Sequence, residues 1–245
     1  MVRAEQLAER FAQLARWWHA APTPAEARRR VARSAVDSVA GCEHAAITLI
    51  TRHASTVSVA ATDDTAELVD RIQQELGRGP CLDAMRTRAW CLIPDFTTDE
   101  SSPAFSRPAT AQTGVRSMLS LPLFFDDEML GALNLYSSAP DAFSGSAIAT
   151  ASVLAAHAAL AIADAGNRER CAELEEALIS NRVIGMAVGI VMAGRRATPE
   201  QALELLRGAS RRSNRKLSDI AAEVVETGQD PTAVPVSRRH RSALS

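Results

Sequence analysis

The sequence predicts an α+β fold, an antiparallel sheet covered by helices, followed by an all-α three-helix bundle. Three observations predict it. Two pairs of apolar, strand-patterned segments each flank a short polar turn. Segments of helical period lie between and around them. Near the C-terminus, three short amphipathic stretches follow one another, and such helices can bury their apolar faces only against each other. With 245 residues, 47% of them apolar, the chain has a globular composition and length enough for one large domain or two small ones. It can bury a core without disulfides.

Residues 3–20 read as a helix with Trp17 and Trp18 near its end. "TPAE" at 23–26 opens a second, running to about Ala40. Thr23 can cap it, Pro24 suits the first turn and Glu26 can close a capping box. "AAITLI" (45–50) and "STVSVA" (55–60) alternate as a hairpin does. Residues 63–76 return to helical spacing through Ala66, Val69, Ile72 and Leu76. "GRGP" (77–80) is a turn, followed by a short helix from Cys81 and a strand at 90–94. Residues 95–108, polar with two prolines, are expected to be a surface loop. "SMLSLPLFF" (117–125) and "MLGALNLYS" (129–137) form the second hairpin.

From Phe143 to Val191 the chain reads as one long helix or two in line, with Gly166 and Asn167 as a possible joint. Leu160, Asp164, Asn167, Cys171, Leu174 and Leu178 follow 4-3-4-3-4 spacing, half of them good seam residues for a coiled coil. Ile184, Ala187, Val188 and Val191 make one apolar face before "GRR" (194–196) breaks the helix. "TPEQ" (198–201) is a second capping box. The helix it opens carries Ala202, Leu206, Ala209 and Ser213 on one face, and Glu204, Arg207, Arg211, Asn214 and Arg215 on the other. A last helix, with Ser218 as its expected cap, buries Ile220, Ala221, Val224 and Val225. Residues 230–245 read as a disordered basic tail.

Charge divides along the same line. Residues 1–167 hold 14 basic and 19 acidic side chains, whereas 168–245 hold 13 and 10. Between 195 and 216 there are seven basic residues against Glu200 and Glu204. Lys216 is the only lysine. Two domains with different partners follow, the second with an anionic one. A cationic strip running into the turn before a helix N-terminus suits a phosphate backbone; a solvated polar face is the alternative.

Other chemistry finds little support. The first residues carry charges throughout, unlike a secretory signal, and no continuous run reaches the about 18 apolar residues of a membrane span. Cys42, Cys81, Cys91 and Cys171 form no C-x-x-C pair and no zinc spacing with histidines. A redox pair of Cys81 and Cys91 is the thiol alternative. "GRGPC" lacks the Lys-Ser/Thr ending of a phosphate loop. His44, His53 and His157 stand alone, and Asp63, Asp64, Asp126 and Asp127 sit where turns favour aspartate. No catalytic constellation, cofactor or metal site is expected.

"AVGIVM" (187–192), "TPEQALELLRGAS" (198–210) and "SNRKLSDIAAEVV" (213–225) resemble the ANTAR domain, the RNA-binding output module of bacterial antitermination regulators. The resemblance implies a three-helix bundle at the end of a dimerising helix, whose dimers bind RNA with two adjacent stem-loops and prevent a terminator from forming. Ala187, Gly189 and Met192, then Ala202, Leu206 and Arg207, then Asn214, Lys216, Leu217, Asp219 and Ala221 match the family's three helices in order. RNA contact is assigned to the polar members Arg207, Arg211, Asn214, Arg215 and Lys216. Val188 departs from the pattern, since many members carry Lys there. Residues 77–95, 117–137 and 143–165 resemble a GAF domain, which implies small-molecule sensing over the sheet or dimerisation. The expected layout is an N-terminal helix (1–21), a GAF-like sensor (22–166), a linking helix with the ANTAR bundle (167–229) and the tail. The expected protein is a cytoplasmic, homodimeric, non-enzymatic regulator, with a possible small-molecule ligand and no membrane. A DNA-binding helix-turn-helix at 198–226 is the alternative, its turn read as longer than the three or four residues that motif prefers; a GAF-type thiol enzyme is another.

Overall fold

The computed structural model describes residues 2–51 and 55–230. The expected basic tail from 231 onward and His53 lie outside them. The chain divides into two compact units, residues 1–169 and 170–245.

The first unit is built on five strands, β1 (His44–Ile50), β2 (Thr56–Ala61), β3 (Cys91–Ile93), β4 (Ser117–Phe125) and β5 (Glu128–Ser137). Their order is β2-β1-β5-β4-β3, and every pairing is antiparallel. The two hairpins read from the sequence are thus joined by β5 against β1, with Ile47 opposite Leu133. Side chains two apart share a face. Ala45, Ile47, Leu119, Leu121, Leu123, Leu133 and Leu135 point into one core. Ala46, Met118, Ala132 and Tyr136 point into another. At Gly131 the β1 backbone comes so near that a Cβ would sit 2.8 Å from the Leu49 Cα, so only glycine fits there.

Helices cover both faces. α1 (Val2–His19), α2 (Pro24–Ser38) and the start of α6 (Gly145–Arg195) enclose the leucine-rich core. α2 opens as the spacing predicts, with the Thr23 hydroxyl accepting from the Glu26 N–H at 3.2 Å. Trp18 is fully buried there, its indole N–H donating to Ser34 Oγ at 3.0 Å. Trp17 stays outside, beneath the Arg30 guanidinium. The other face is covered by α3 (Asp64–Leu76), α4 (Pro80–Thr87) and α5 (Pro103–Thr113).

α5 corrects the sequence reading, in which 95–108 was a loop. Pro103 occupies the first helical turn, where no N–H is needed, and Phe105 and Ala109 bury one face. Pro108 lies inside the helix, and the Ala104 carbonyl it deprives of a donor belongs to an exposed residue, open to water.

α6 decides between the two readings of 143–191, in favour of one long helix. It runs unbroken through Gly166 and Asn167, with no joint. Two adjacent poor helix formers do not interrupt a helix flanked by good ones, Ala163 and Ala165 before them and Arg168, Glu169 and Arg170 after. An 18-residue window of α6 has a mean hydropathy of 1.8, as apolar as a membrane span. Here Ala147, Ala151, Leu154, Ala155, Ala158, Ala159 and Ile162 pack on the sheet, which accounts for that composition.

The second unit contains the end of α6, α7 (Pro199–Ser213) and α8 (Leu217–Thr227). Ala187 and Val191, Ala202, Leu206 and Ala209, and Ile220, Ala221 and Val224 form one closed core, with Ile184, Val188 and Val225 packed against it. Val188 is therefore a half-buried packing residue. α8 begins earlier than Ser218: its N-cap is Lys216, without a side-chain cap bond.

Candidate nucleic-acid interface

α7 is held at its start by a complete capping box. The Gln201 N–H donates to Thr198 Oγ1 at 3.4 Å, and Gln201 Oε1 accepts from the Thr198 N–H at 3.0 Å. This phases the helix so that Ala202, Leu206 and Ala209 face inward. Arg207 and Arg211 then stand on the exposed surface.

The chain leaves α7 through a turn of three residues, 214–216. Asn214 adopts the left-handed conformation (φ 52°), and its N–H donates to the Ser210 carbonyl. Asparagine tolerates that conformation better than most residues, so it has a structural role as the helix cap. Ser210 Oγ donates to the Arg215 carbonyl at 2.6 Å, fixing the turn from outside. Arg215 and Lys216 are presented from this pinned segment, both exposed. The five candidate residues thus occupy one stretch of surface, from mid-α7 through the turn to the start of α8.

They are not electrostatically equivalent. Arg211 pairs with Glu204, seven residues or two helical turns back, and Arg215 Nη1 donates to Glu223 Oε2 on α8 at 2.6 Å. The Arg211 hydrogen bond and charge hold the Glu204 carboxyl below its ordinary range. Among the described residues, no carboxylate lies within ion-pair distance of Arg207, Arg212 or Lys216. Pairs this exposed contribute little to stability, so a polyanion can exchange for the carboxylates at small cost.

The periodicity reading missed a second basic group. Arg195, Arg196, Arg211 and Arg212 line a cleft of about 550 Å³, together with Ala197, Gln201, Glu204, Leu205 and Gly208. Two local features build it. Arg196, just past α6, is left-handed (φ 53°), and the Ala197 N–H closes back on the Met192 carbonyl at 3.3 Å. On α7, residues 201, 204, 205, 208, 211 and 212 share a face. Glycine inside a helix costs about 1 kcal/mol relative to alanine. At Gly208 an added Cβ would lie 3.1 Å from Arg212 Nη1, so its absence makes room for that guanidinium to lie along the helix. The run "GRR" and the mid-helix glycine were the available signals.

In the first unit, the α3–α4–α5 face of the sheet holds a buried polar network. Asp70, 1% exposed, accepts from Thr48 Oγ1 and Asn134 Nδ2, each at 2.9 Å, and from the Tyr136 hydroxyl. Burial raises the Asp70 carboxyl above its ordinary range despite these donors. Gln73 Oε1 accepts from the Cys81 N–H at 2.9 Å, while Gln73 Nε2 is buried without a partner. Cys42 and Cys81 are buried thiols pushed up to about 12 by desolvation, and the Asp70 charge adds to the shift at Cys81. Cys91 is raised by burial as well, and Cys171 is exposed. His44 pairs with Asp63 at 2.8 Å, and His157 stacks on Phe11. Among the described residues, no group of three or more His, Cys, Asp or Glu is placed to hold a metal.

A GAF domain family model matches residues 21–163, and an ANTAR domain model matches residues 172–225. Solved structures share the sensor fold. The GAF domain of an Acinetobacter phosphoenolpyruvate-protein phosphotransferase superposes with a TM-score of 0.53 at 14% identity, covering 67% of this chain and 98% of its own. The corresponding domain from Coxiella burnetii gives 0.53 at 19%, covering 68% and 98%. A type II free methionine-R-sulfoxide reductase from Thermoplasma acidophilum gives 0.46 at 15%, covering 62% and 95%; at that distance no activity transfers. No curated protein matches the chain.

Proposed function

The chain belongs to the GAF domain family, and from its ANTAR domain together with that membership we propose that it is a signal-responsive regulator acting by transcription antitermination. In this reading the ANTAR bundle binds paired stem-loops in nascent RNA, with Arg207, Arg211, Asn214, Arg215 and Lys216 facing the phosphates. The observation that carries it is the exposed cationic surface of α7 and its pinned turn, on a domain of this family. The protein acts as a homodimer in the cytoplasm. Leu174 and Leu178, 64% and 69% exposed on α6, supply the seam, and the signal alters how two seams meet. The sensor takes a small molecule on the α3–α4–α5 face, where the unpartnered Gln73 amide offers a donor. In this reading the chain is not a thiol enzyme; burial shifts the Cys42, Cys81 and Cys91 thiols upward, away from the lowered pKa that a nucleophilic cysteine needs.

One observation favours a second reading. The turn between α7 and α8 is three residues long, within the range of a DNA-binding helix-turn-helix, so the sequence argument from turn length does not hold. A competition assay decides between them. Labelled RNA with two short stem-loops is competed by a single stem-loop and by duplex DNA at two salt concentrations. Preference for paired stem-loops, with a salt slope that flattens in Arg211→Ala/Arg215→Ala/Lys216→Ala, supports the RNA reading. Stronger retention of duplex DNA replaces it with the second.

A further inference from the structure

We propose that the cleft between the end of α6 and the adjoining face of α7 is a binding site for a phosphate group, anchored by Arg196 and Arg212. It is distinct from the Arg207–Lys216 surface, with which it shares only Arg211. Four guanidiniums line it, and two carboxylates answer them: Glu204 on Arg211, and Asp230, whose Oδ1 accepts from Arg195 Nη2 at 3.0 Å. Among the described residues, Arg196 and Arg212 have no carboxylate within ion-pair distance, and two such charges can engage the single charge of a phosphodiester or the two of a monoester.

The geometry selects phosphate over carboxylate. A carboxylate presents its two oxygens in one plane, where a single coplanar guanidinium fork can engage both. A tetrahedral phosphate presents oxygens in several directions and can accept from forks on different segments. Here the forks come from two segments, the α6 end with its left-handed Arg196 and the last turn of α7. Ala197 and Leu205 give the cleft an apolar side, suited to the sugar or base beside the phosphate. The space left at Gly208 lets the Arg212 head lie back into the lining.

The phosphate can belong to RNA, in which case the site deepens the RNA-binding reading and rests on it, or to a free phosphate ester, in which case it does not. The full chain is measured as wild type, Arg196→Gln/Arg212→Gln and Gly208→Ala, with two probes: labelled paired-stem-loop RNA for affinity, and inorganic pyrophosphate for thermal stabilisation. If the phosphate is RNA's, the double variant binds RNA roughly tenfold more weakly at low salt and its log–log salt slope falls by about one. If it is free, RNA affinity is unchanged, pyrophosphate raises the wild-type midpoint and the double variant loses that rise. Gly208→Ala melts higher than wild type because alanine favours the helix, yet binds the same probe more weakly; helix propensity alone would leave binding untouched. Should wild type bind no RNA, the RNA reading fails and pyrophosphate alone judges the cleft. Equal behaviour of wild type and double variant toward both probes overturns the proposal.

Discussion

The two units dispose of charge in opposite ways. In the sensor, charge is taken inside or clamped: Asp70 is buried beneath α3 with three donors, and Asp95 is gripped by Arg116 through bonds of 2.9 and 2.6 Å. In the bundle, no polar or charged side chain is buried among the described residues, and its ion pairs lie on the surface. Size explains the contrast. The sensor core contains Trp18, Tyr136, Phe96 and Phe105, all fully buried, enough apolar area to offset desolvating a carboxyl. Four of the eight buried bundle residues are alanine. A core that small cannot carry a buried charge, whose penalty is several kcal/mol, so its arginines stay outside, where an anion can reach them.

The contrast can be broken from the inside first. Asp70→Ala strips three buried donors of their acceptor, each worth about 1–3 kcal/mol when left unsatisfied. A loss of about 3 kcal/mol or more in denaturant unfolding is expected; a loss below about 1 would mean that the network does not hold the sensor together. Leu206→Ala tests the bundle. Truncating a fully buried leucine costs about 2–5 kcal/mol, and hydrogen exchange should show amides of 199–227 losing protection while those of the sheet keep theirs.

Surface charge should weigh on binding and hardly on folding. Glu204→Gln and Glu223→Gln remove the carboxylates competing for Arg211 and Arg215. Each should leave the melting midpoint nearly unchanged and tighten RNA binding about two- to threefold in a titration at low salt. The smallest effect is one of pH. The Asp95 carboxyl is held well below its ordinary value of 3.8, foremost by the Arg116 hydrogen bond. A depressed carboxyl stabilises the fold fully above its unfolded pKa and loses that contribution as pH falls through the folded one. The sensor melting temperature should therefore fall between about pH 4 and pH 2 more in wild type than in Arg116→Gln.

Much of this contrast was legible in the residues, because hairpin alternation, capping boxes and amphipathic period are local. The ANTAR blocks were the most specific of these signals. What was missed depended on neighbours distant in sequence or on unusual backbone. Asp70 and Gln73 fall on the same helical face as Ala66, Val69 and Ile72, but only the sheet's Thr48, Asn134 and Tyr136 make that burial tolerable. α5 hid behind two prolines, one at the position where proline favours a helix. Ser218 looked like a cap by residue type, whereas Leu217, packed against the bundle core, begins the helix earlier. The arginine cleft needed Arg196 in a conformation usually left to glycine, which no periodicity reveals.

Lys216 sits exposed at the N-cap of α8, in the turn between two helices, and it is the only lysine in the chain. Amine chemistry on side chains therefore has a single address. An acylating reagent, or an enzyme that transfers an acetyl group to lysine, would remove one charge from the turn and leave every arginine untouched. With the α-amino group blocked, a fluorophore coupled through the same side-chain amine would report from one known position.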